Sequence, residues 1–119
     1  MDEIILVVDD DEELRNITVM ALESEGYRVA SAEDGLAALS LLRGGLRPKL
    51  ILTDLMMPVM SGWEFRNELR KDPGFKLIPL IITTGYTEMA PRESINEILA
   101  KPVGIDLLLT RVEEILEAA

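Results

Sequence analysis

Two groups of acidic residues follow apolar runs that are typical of buried β-strands. Asp54 follows residues 50–53, and Asp9 and Asp10 follow Ile4–Val8. An ionised carboxylate at the end of a buried strand is unfavourable unless it has a partner. Asp11, the acid that follows Asp9 and Asp10, is well explained as the cap of the next helix. Capping explains Asp9 and Asp10 less well. Acids that meet at one edge repel each other, and a hard divalent cation such as Mg2+ would relieve that repulsion.

Two further polar residues end apolar runs later in the chain. Thr84, followed by Gly85, ends a fourth run, and Lys101, followed by Pro102, ends a fifth. Each alone is unremarkable for the end of a strand. Together with the acids they supply metal ligands, a carboxylate nucleophile, a hydroxyl donor and a fixed cation. Phosphoryl transfer needs these groups, because its transition state depends on positioning and on neutralised oxygens.

The elements that must position these residues alternate regularly between strand and helix patterns. The predicted strands are 4–8, 28–32, 50–53, 80–83 and 97–100. The predicted helices include 12–25, a segment that ends at 44–45, a helix over 62–71 that begins after a Ser-x-x-Glu cap at Ser61, and 106–117. Continuous apolar strands separated by helices are typical of a parallel sheet that is covered on both faces. We predict one α/β domain over residues 1–119, a flavodoxin-like doubly wound sheet of strand order 2-1-3-4-5. Its ligand site is expected where the winding reverses, between the first and third strands.

Composition excludes several classes of chemistry. The chain has 119 residues, no cysteine and no histidine, so thiolate and imidazole catalysis are both excluded. A formal charge of -10, with its twelve basic residues spread along the chain, argues against direct nucleic-acid binding. Neither a membrane-spanning run nor a secretory leader is evident, and we expect a cytoplasmic protein without membrane contact.

Four short motifs, in order at the expected strand ends, carry a family resemblance. They are residues 7–10 (Val-Val-Asp-Asp), residues 54–62, the pair Thr84-Gly85 and the pair Lys101-Pro102. With these motifs, the chain resembles the receiver domain of two-component response regulators, the chemotaxis-regulator type included, over almost its whole length. The resemblance implies the same sheet order, and it implies phosphorelay signalling rather than turnover of a substrate.

The resemblance also implies residue roles. Asp54 would accept a phosphoryl group from a histidine kinase or a histidine phosphotransfer protein, and it would hydrolyse that group itself. Asp9, Asp10 and Asp54, with the backbone carbonyl of Met56, would bind Mg2+. Thr84 and Lys101 would contact the phosphoryl oxygens, and the bond before Pro102 would be cis. The expected downstream partner is an effector or a fused output domain.

Two departures from the family pattern bear on signalling. Receivers usually carry an aromatic residue three positions before the lysine, where this chain has Ile98; Tyr86 could take part of that switching role or could simply pack. The segment from Thr84 to Asn96 is also short, close to the minimum of about a dozen residues for a parallel crossover. We therefore expect a shortened fourth helix.

Other functions remain open at this point. A small aspartyl phosphatase would want a general acid and a substrate cap, and a flavodoxin-like cofactor binder would want a phosphate loop where this chain has three acids. A receiver fold kept for binding alone is a further possibility. If the chain is a receiver, we expect either a stand-alone protein or a piece of a larger regulator or hybrid kinase.

Overall fold

A computed structural model describes residues 3–87 and 95–118, and within them five parallel strands form one sheet. The strands are β1 (Ile4–Val8), β2 (Arg28–Ala32), β3 (Leu50–Asp54), β4 (Leu80–Thr84) and β5 (Glu97–Ala100). Their order is β2-β1-β3-β4-β5, so the predicted doubly wound topology is confirmed. The winding reverses between β1 and β3, which pair directly with Val8 opposite Thr53.

Four helices are seen in the described ranges. They are α1 (Glu12–Ser24), α2 (Gly35–Arg43), α3 (Gly62–Lys71) and α4 (Ile105–Ala118). The shortened helix expected between β4 and β5 falls on residues 88–94, which lie outside the described residues. None of the described helices is long and apolar enough to cross a membrane.

Alternate strand residues face opposite sides of the sheet and build two apolar layers. The first layer joins the sheet to α2 and α3 and includes Leu6, Leu39, Ile51, Phe65 and Ile82. The second joins the sheet to α1 and α4 and includes Val7, Leu22, Leu52, Leu108 and Val112. Every residue of β3 and β4 is buried, which explains why these strands read as continuous apolar runs.

Two strands extend one residue beyond their predicted ends, and both extra residues are polar. The parallel ladder continues until Asp54 lies opposite Thr83, and until Thr84 lies opposite Ala100. Asp54 and Thr84 are therefore the last residues of β3 and β4 rather than the first residues of loops. Their backbone is held by sheet pairing, which fixes the direction of their side chains.

Short polar caps start the helices that follow the sheet edge. Asp11 accepts the Leu14 N–H at 3.0 Å and begins α1. Ser61 and Glu64 form a reciprocal capping box that begins α3, as the Ser-x-x-Glu spacing predicts. These caps set where each helix leaves the carboxyl edge of the sheet.

Candidate functional site

The site lies at the carboxyl edge of the sheet, where β1, β3, β4 and β5 end. Asp9 directly follows β1 and Lys101 directly follows β5, whereas Asp54 and Thr84 close β3 and β4. The parallel register keeps these strand ends close to level. Residues that are up to 92 positions apart in sequence, from 9 to 101, therefore meet at one edge.

Three carboxylates form a compact cluster there, which we call the acidic rim: Asp9, Asp10 and Asp54. One oxygen from each lies within 4.8 Å of the others. Asp9 and Asp54 are each only 8% exposed, while Asp10 is exposed. A set of hard, closely spaced oxygen donors with one side open to solvent fits a small divalent cation such as Mg2+.

Lys101 supplies the positive charge within the site. Its Nζ lies 3.1 Å from Asp54 Oδ2 and 3.5 Å from Asp9 Oδ2, with its side chain 26% exposed. The peptide bond between Lys101 and Pro102 is cis. The Lys101 ammonium therefore links the end of β5 to the ends of β1 and β3, and the side chain crosses the end of β4, which lies between β3 and β5.

Burial and charge perturb both members of the main ion pair. Burial raises the pKa of Asp54 above its ordinary value of 3.8, Lys101 opposes this shift, and the nearby Asp9 carboxylate adds to it. For Lys101, burial would lower the pKa, but attraction to Asp54 and Asp9 outweighs burial and the pKa rises. The acidic rim therefore carries charge that its surroundings do not fully neutralise.

Backbone hydrogen bonds hold the other carboxylate oxygens. The Leu55 N–H donates to Asp54 Oδ1 at 2.8 Å, and the Asp11 N–H donates to Asp9 Oδ1 at 3.0 Å. In each acid, Oδ1 is held by the backbone and Oδ2 faces Lys101. Both carboxylates are therefore fixed in orientation before any ligand arrives.

Arg15, which was not predicted from the sequence as a site residue, contacts the end of β1 from α1. Its Nη1 donates to the Asp9 carbonyl at 2.7 Å. The signal that could have revealed it is a basic residue in the first turn and a half of a helix that begins directly after the acids. Its contact is with the backbone, so Arg15 positions Asp9 without touching the carboxylate cluster.

Thr84 is fully buried, and its hydroxyl is already in use. Its Oγ1 accepts the N–H of Tyr86 at 3.0 Å. Tyr86 itself is 54% exposed. Ile98 does not reach the acidic rim, because it packs against the apolar layer of α2 and α3. The structure therefore couples the threonine to the backbone of Tyr86 and places the half-buried Ile98 against the apolar layer of α2 and α3.

The loop after Asp54 is held close to the strand by a glycine. The Gly62 N–H donates to the Leu55 carbonyl at 2.7 Å. A Cβ atom on Gly62 would lie 2.7 Å from the Asp54 carbonyl oxygen and 2.8 Å from Leu55 Cα, which no real side chain tolerates. Within this loop Met56 is 48% exposed. By contrast, a Cβ on Gly85 would meet nothing within 4 Å, so the space beside Thr84 is open.

The same loop contains a three-residue turn centred on Val59. The Met60 N–H donates to the Pro58 carbonyl at 2.7 Å, and Val59 has a φ of 67°. This γ-turn geometry is strained for any residue with a Cβ, and more so for a β-branched one. Met60 then packs directly on Gly35, where an added Cβ would lie 2.8 Å from its Cγ.

Fold and site together define a doubly wound α/β protein with an acidic, lysine-bearing site at its switch point. The chain belongs to the response regulator receiver domain family, whose profile matches residues 5–113. The resemblance identified from the four motifs is therefore confirmed.

Known proteins of this family are similar in sequence and in structure. The DNA-binding response regulator MtrA of Mycolicibacterium paratuberculosis is 42% identical over 84 residues, which cover 71% of this chain but only 36% of MtrA. The response regulator TrrA of Thermotoga maritima, solved in complex with Mg2+ and BeF, is 32% identical with a TM-score of 0.83, covering 95% of this chain and 98% of TrrA. The receiver domain of the sensor histidine kinase PA1611 of Pseudomonas aeruginosa, with magnesium in its active-site cleft, is 27% identical with a TM-score of 0.88, covering 98% and 99%.

Proposed function

We propose that Asp54 is the phosphoacceptor of this receiver domain. The observation that carries the proposal is the placement of a buried, backbone-oriented carboxylate 3.1 Å from Lys101, with two more acids beside it. An oxygen of Asp54 would attack phosphorus and form an acyl phosphate. The bond from phosphorus to the histidine nitrogen of a kinase, or to the acyl oxygen of acetyl phosphate, would break, and its electron pair would leave with the donor.

The acidic rim is proposed to hold Mg2+ through Asp9, Asp10 and Asp54, with the backbone carbonyl of Met56 as a further ligand. The mutual proximity of the three carboxylates and the magnesium in the similar TrrA and PA1611 domains support this. The ion supplies positive charge next to the transferring oxygens. This chain's own groups do the rest: Asp54 attacks, and the Leu55 N–H keeps its carboxylate oriented.

Lys101 and Thr84 are proposed to contact the phosphoryl group once it is attached. Lys101 already faces Asp54 and needs only to exchange a carboxylate oxygen for a phosphoryl oxygen. Thr84 would donate its hydroxyl hydrogen, and the Tyr86 N–H that it accepts would move with it. Tyr86 is therefore proposed as the moving part of the switch. Ile98 is proposed to take a passive role, because it is half-buried against the apolar layer of α2 and α3 and has no aromatic ring.

We further propose the setting in which this chemistry works. Residues 1–119 form one receiver domain of a cytoplasmic phosphorelay protein, without enzymatic activity beyond phosphorylation and dephosphorylation of Asp54. Its upstream partner is a histidine kinase or a histidine phosphotransfer protein, and its downstream partner is an effector or fused output domain, with no direct nucleic-acid or membrane contact. The kinase receiver PA1611 and the DNA-binding regulator MtrA support these two kinds of partner.

Intact-mass analysis after incubation with acetyl phosphate tests the proposal. The wild type should gain one phosphoryl group in the presence of Mg2+ and none in the presence of a chelator. Asp54→Asn should gain none, because the amide is not a nucleophile. Asp11→Asn is the matched control: it makes the same change next to Asp10 of the acidic rim, at a helix cap where Asn serves equally well, and should label normally.

Three outcomes would count against the assignment. They are labelling of Asp54→Asn, loss of labelling in Asp11→Asn, and labelling that does not depend on the metal. If the folded wild type shows no adduct, beryllofluoride binding separates rapid hydrolysis from a domain that does not accept phosphate. Absence of both would refute the proposed function.

A further inference from the structure

Asp10 is the member of the acidic rim whose carboxylate is not held by its neighbours. The carboxylates of Asp9 and Asp54 each accept a backbone N–H at Oδ1 and lie beside Lys101 at Oδ2. Within residues 3–87 and 95–118, the carboxylate of Asp10 makes no hydrogen bond or ion pair, and the residue is exposed. The direction of this carboxylate therefore depends on the backbone that carries it.

The backbone on both sides of Asp10 is fixed by hydrogen bonds. Its Cα lies between two planar peptide groups, and each of them turns as one unit. On one side, the Asp11 N–H donates to Asp9 Oδ1 at 3.0 Å. On the other side, Arg15 Nη1 donates to the Asp9 carbonyl at 2.7 Å. Because that carbonyl and the Asp10 N–H belong to the same peptide group, Arg15 sets the plane from which Asp10 projects.

The place of Arg15 is set by the start of α1. Asp11 caps this helix, and the Arg15 N–H donates to the Asp11 carbonyl at 2.8 Å. The side chain of Arg15 is half-buried, which limits its freedom to leave the contact. Its hydrogen bond to the Asp9 carbonyl is also short, as is typical of a charged donor. The peptide group before Asp10 is therefore held by a well-placed and strong donor.

Arg15 has two effects on a cation at the acidic rim, and they have opposite signs. Its positive charge lies near the site and repels a divalent cation. Its hydrogen bond directs the Asp10 carboxylate, which favours binding of the cation. Residues that orient metal ligands without touching the ion change metal affinity by about 10- to 100-fold, whereas salt screens the repulsion from a half-exposed charge.

We propose that Arg15 is a positioning residue for the Mg2+ site: it holds the Asp9–Asp10 peptide group and so directs the Asp10 carboxylate toward the ion. This inference rests on the Mg2+ site of the proposed function. It gives Arg15 a role in metal affinity that goes beyond its contact with the end of β1. It also requires that a positively charged side chain strengthens the binding of a cation.

Titration of the unphosphorylated chain with MgCl2, followed by two-dimensional amide NMR, tests the proposal without relying on phosphorylation. Arg15→Met removes both the charge and the donor, and it should weaken Mg2+ binding by at least about tenfold. Charge repulsion alone predicts the opposite result, which is tighter binding. Arg15→Lys keeps the charge but replaces the planar donor by a single ammonium, and its affinity should lie between those of the wild type and Arg15→Met.

Arg28→Met is the matched control for the loss of charge. Arg28 is exposed at the start of β2, and four residues of strand, about 13 Å, separate it from the end of β2 beside Asp9. That separation exceeds the Debye length of about 10 Å at 0.1 M salt. Arg28→Met should therefore leave Mg2+ affinity unchanged at this salt concentration.

A double variant tests whether Arg15 acts through Asp10. Asp10→Asn alone should weaken Mg2+ binding, because it removes a charged oxygen ligand. Adding Arg15→Met to Asp10→Asn should cause no further loss, since the carboxylate that Arg15 directs is gone. A further loss as large as that in the wild-type background would show that Arg15 acts by another route, and it would overturn the proposal.

Spectra recorded without metal give a second measure. The carbonyl 13C resonance of Asp9 and the amide 15N resonance of Asp10 belong to the peptide group that Arg15 holds. Both should move in Arg15→Met and neither in Arg28→Met. If Arg15→Met does not fold, Arg15→Gln makes the same comparison, because its amide is shorter and uncharged.

Two kinds of failure are distinguishable. Unmoved resonances, or unchanged or tighter Mg2+ binding in a folded Arg15 variant, would overturn the role of Arg15 and leave the metal site standing. A wild type that does not bind Mg2+ saturably would instead refute the metal site of the proposed function, and the role of Arg15 with it.

Discussion

At the scale of single residues, the raised pKa of Asp54 shows that the folded site does not fully stabilise the ionised carboxylate. Its folded pKa is raised, chiefly by burial, so ionisation is less favourable in the folded chain than in the unfolded one. The contribution of this group to stability is fully present below its ordinary value of 3.8 and is lost as pH rises through the folded pKa. At neutral pH the ionised carboxylate therefore opposes folding.

Asp54→Asn should consequently be more stable than the wild type at neutral pH when no divalent cation is present. The difference should shrink as the pH falls below 3.8, where the wild-type carboxyl becomes neutral in both states. Urea unfolding of both proteins across this pH range measures the difference, and the acids distant from Asp54 cancel between them. A less stable variant at neutral pH would mean that the ion pair with Lys101 outweighs burial.

Val59 also opposes folding, in this case through a strained backbone conformation. Its φ of 67° is unfavourable for a β-branched residue, and burial of the side chain does not compensate, since Val59 is 72% exposed. Glycine has no Cβ and adopts positive φ readily, so Val59→Gly should stabilise the chain by up to about 1 kcal/mol. Val59→Thr keeps the branched Cβ and should leave stability nearly unchanged. Urea midpoints that rank Thr above Gly would contradict the strain at this turn.

At the scale of secondary-structure elements, α3 and β3 depend on a close approach at Gly62. A side chain there would meet backbone atoms of Asp54 and Leu55, which cannot yield without moving the strand end. Gly62→Ala should destabilise the chain by about 1–3 kcal/mol, as overpacking does. It should also displace the Asp54 carboxylate from Lys101.

Gly104→Ala is the matched control for this prediction, because a Cβ at Gly104 would meet nothing within 4 Å. Its effect on stability should stay within about 0.5 kcal/mol. Chemical denaturation of the two variants measures the contrast. Equal effects at the two positions would show that the contact at Gly62 is not the cause.

The elements were largely predictable from the sequence, and the reasons differ between them. Apolar strands bounded by glycine and polar residues gave β1, β2 and β5 their observed bounds. The ends of β3 and β4 were placed one residue short, because the ladder that continues through Asp54 and Thr84 is a tertiary pairing. The periodicity of α1 predicted a helix, but Leu14, Ile17 and Met20 are exposed and Leu22 is the buried residue. Periodicity locates a helix better than it orients one.

The residues of the site were only partly predictable from the sequence. Asp9, Asp54 and Lys101 end or follow predicted strands, and they were expected at one edge because the carboxyl ends of parallel strands lie together. The bracing of Asp9 by Arg15 was not predictable, since it depends on where α1 starts and on the rotamer of a long side chain. The strain at Val59 was equally hidden, because it depends on how the loop after β3 packs.

At the scale of the whole molecule, the net charge of -10 acts over its full width. The molecule measures 31 × 30 × 27 Å, and the Debye length at 0.01 M salt is about 30 Å, so nearly every charge interacts with every other. Self-repulsion of this kind favours expansion.

Raising NaCl from 0.01 M to 1 M should therefore stabilise the fold, because the Debye length falls to about 3 Å. A rise of about 4 °C in the melting midpoint corresponds to about 1 kcal/mol for a chain of this size. A double variant, Glu23→Gln with Glu25→Gln, removes two exposed acids at the end of α1 and should show a smaller salt response. A midpoint that falls with added salt would show that attractive pairs dominate.

The reach of Lys101 across the sheet has a consequence for how the molecule is assembled. Its partners Asp9 and Asp54 belong to the first half of the chain, whereas Lys101 follows the last strand. A nascent or truncated chain that stops before β5 brings the acids of β1 and β3 together without their counter-charge. The ammonium arrives only when β5 pairs with β4 at the edge of the sheet. The ion pairs of Lys101 therefore form only once the sheet is complete, and they report that the last strand has joined it.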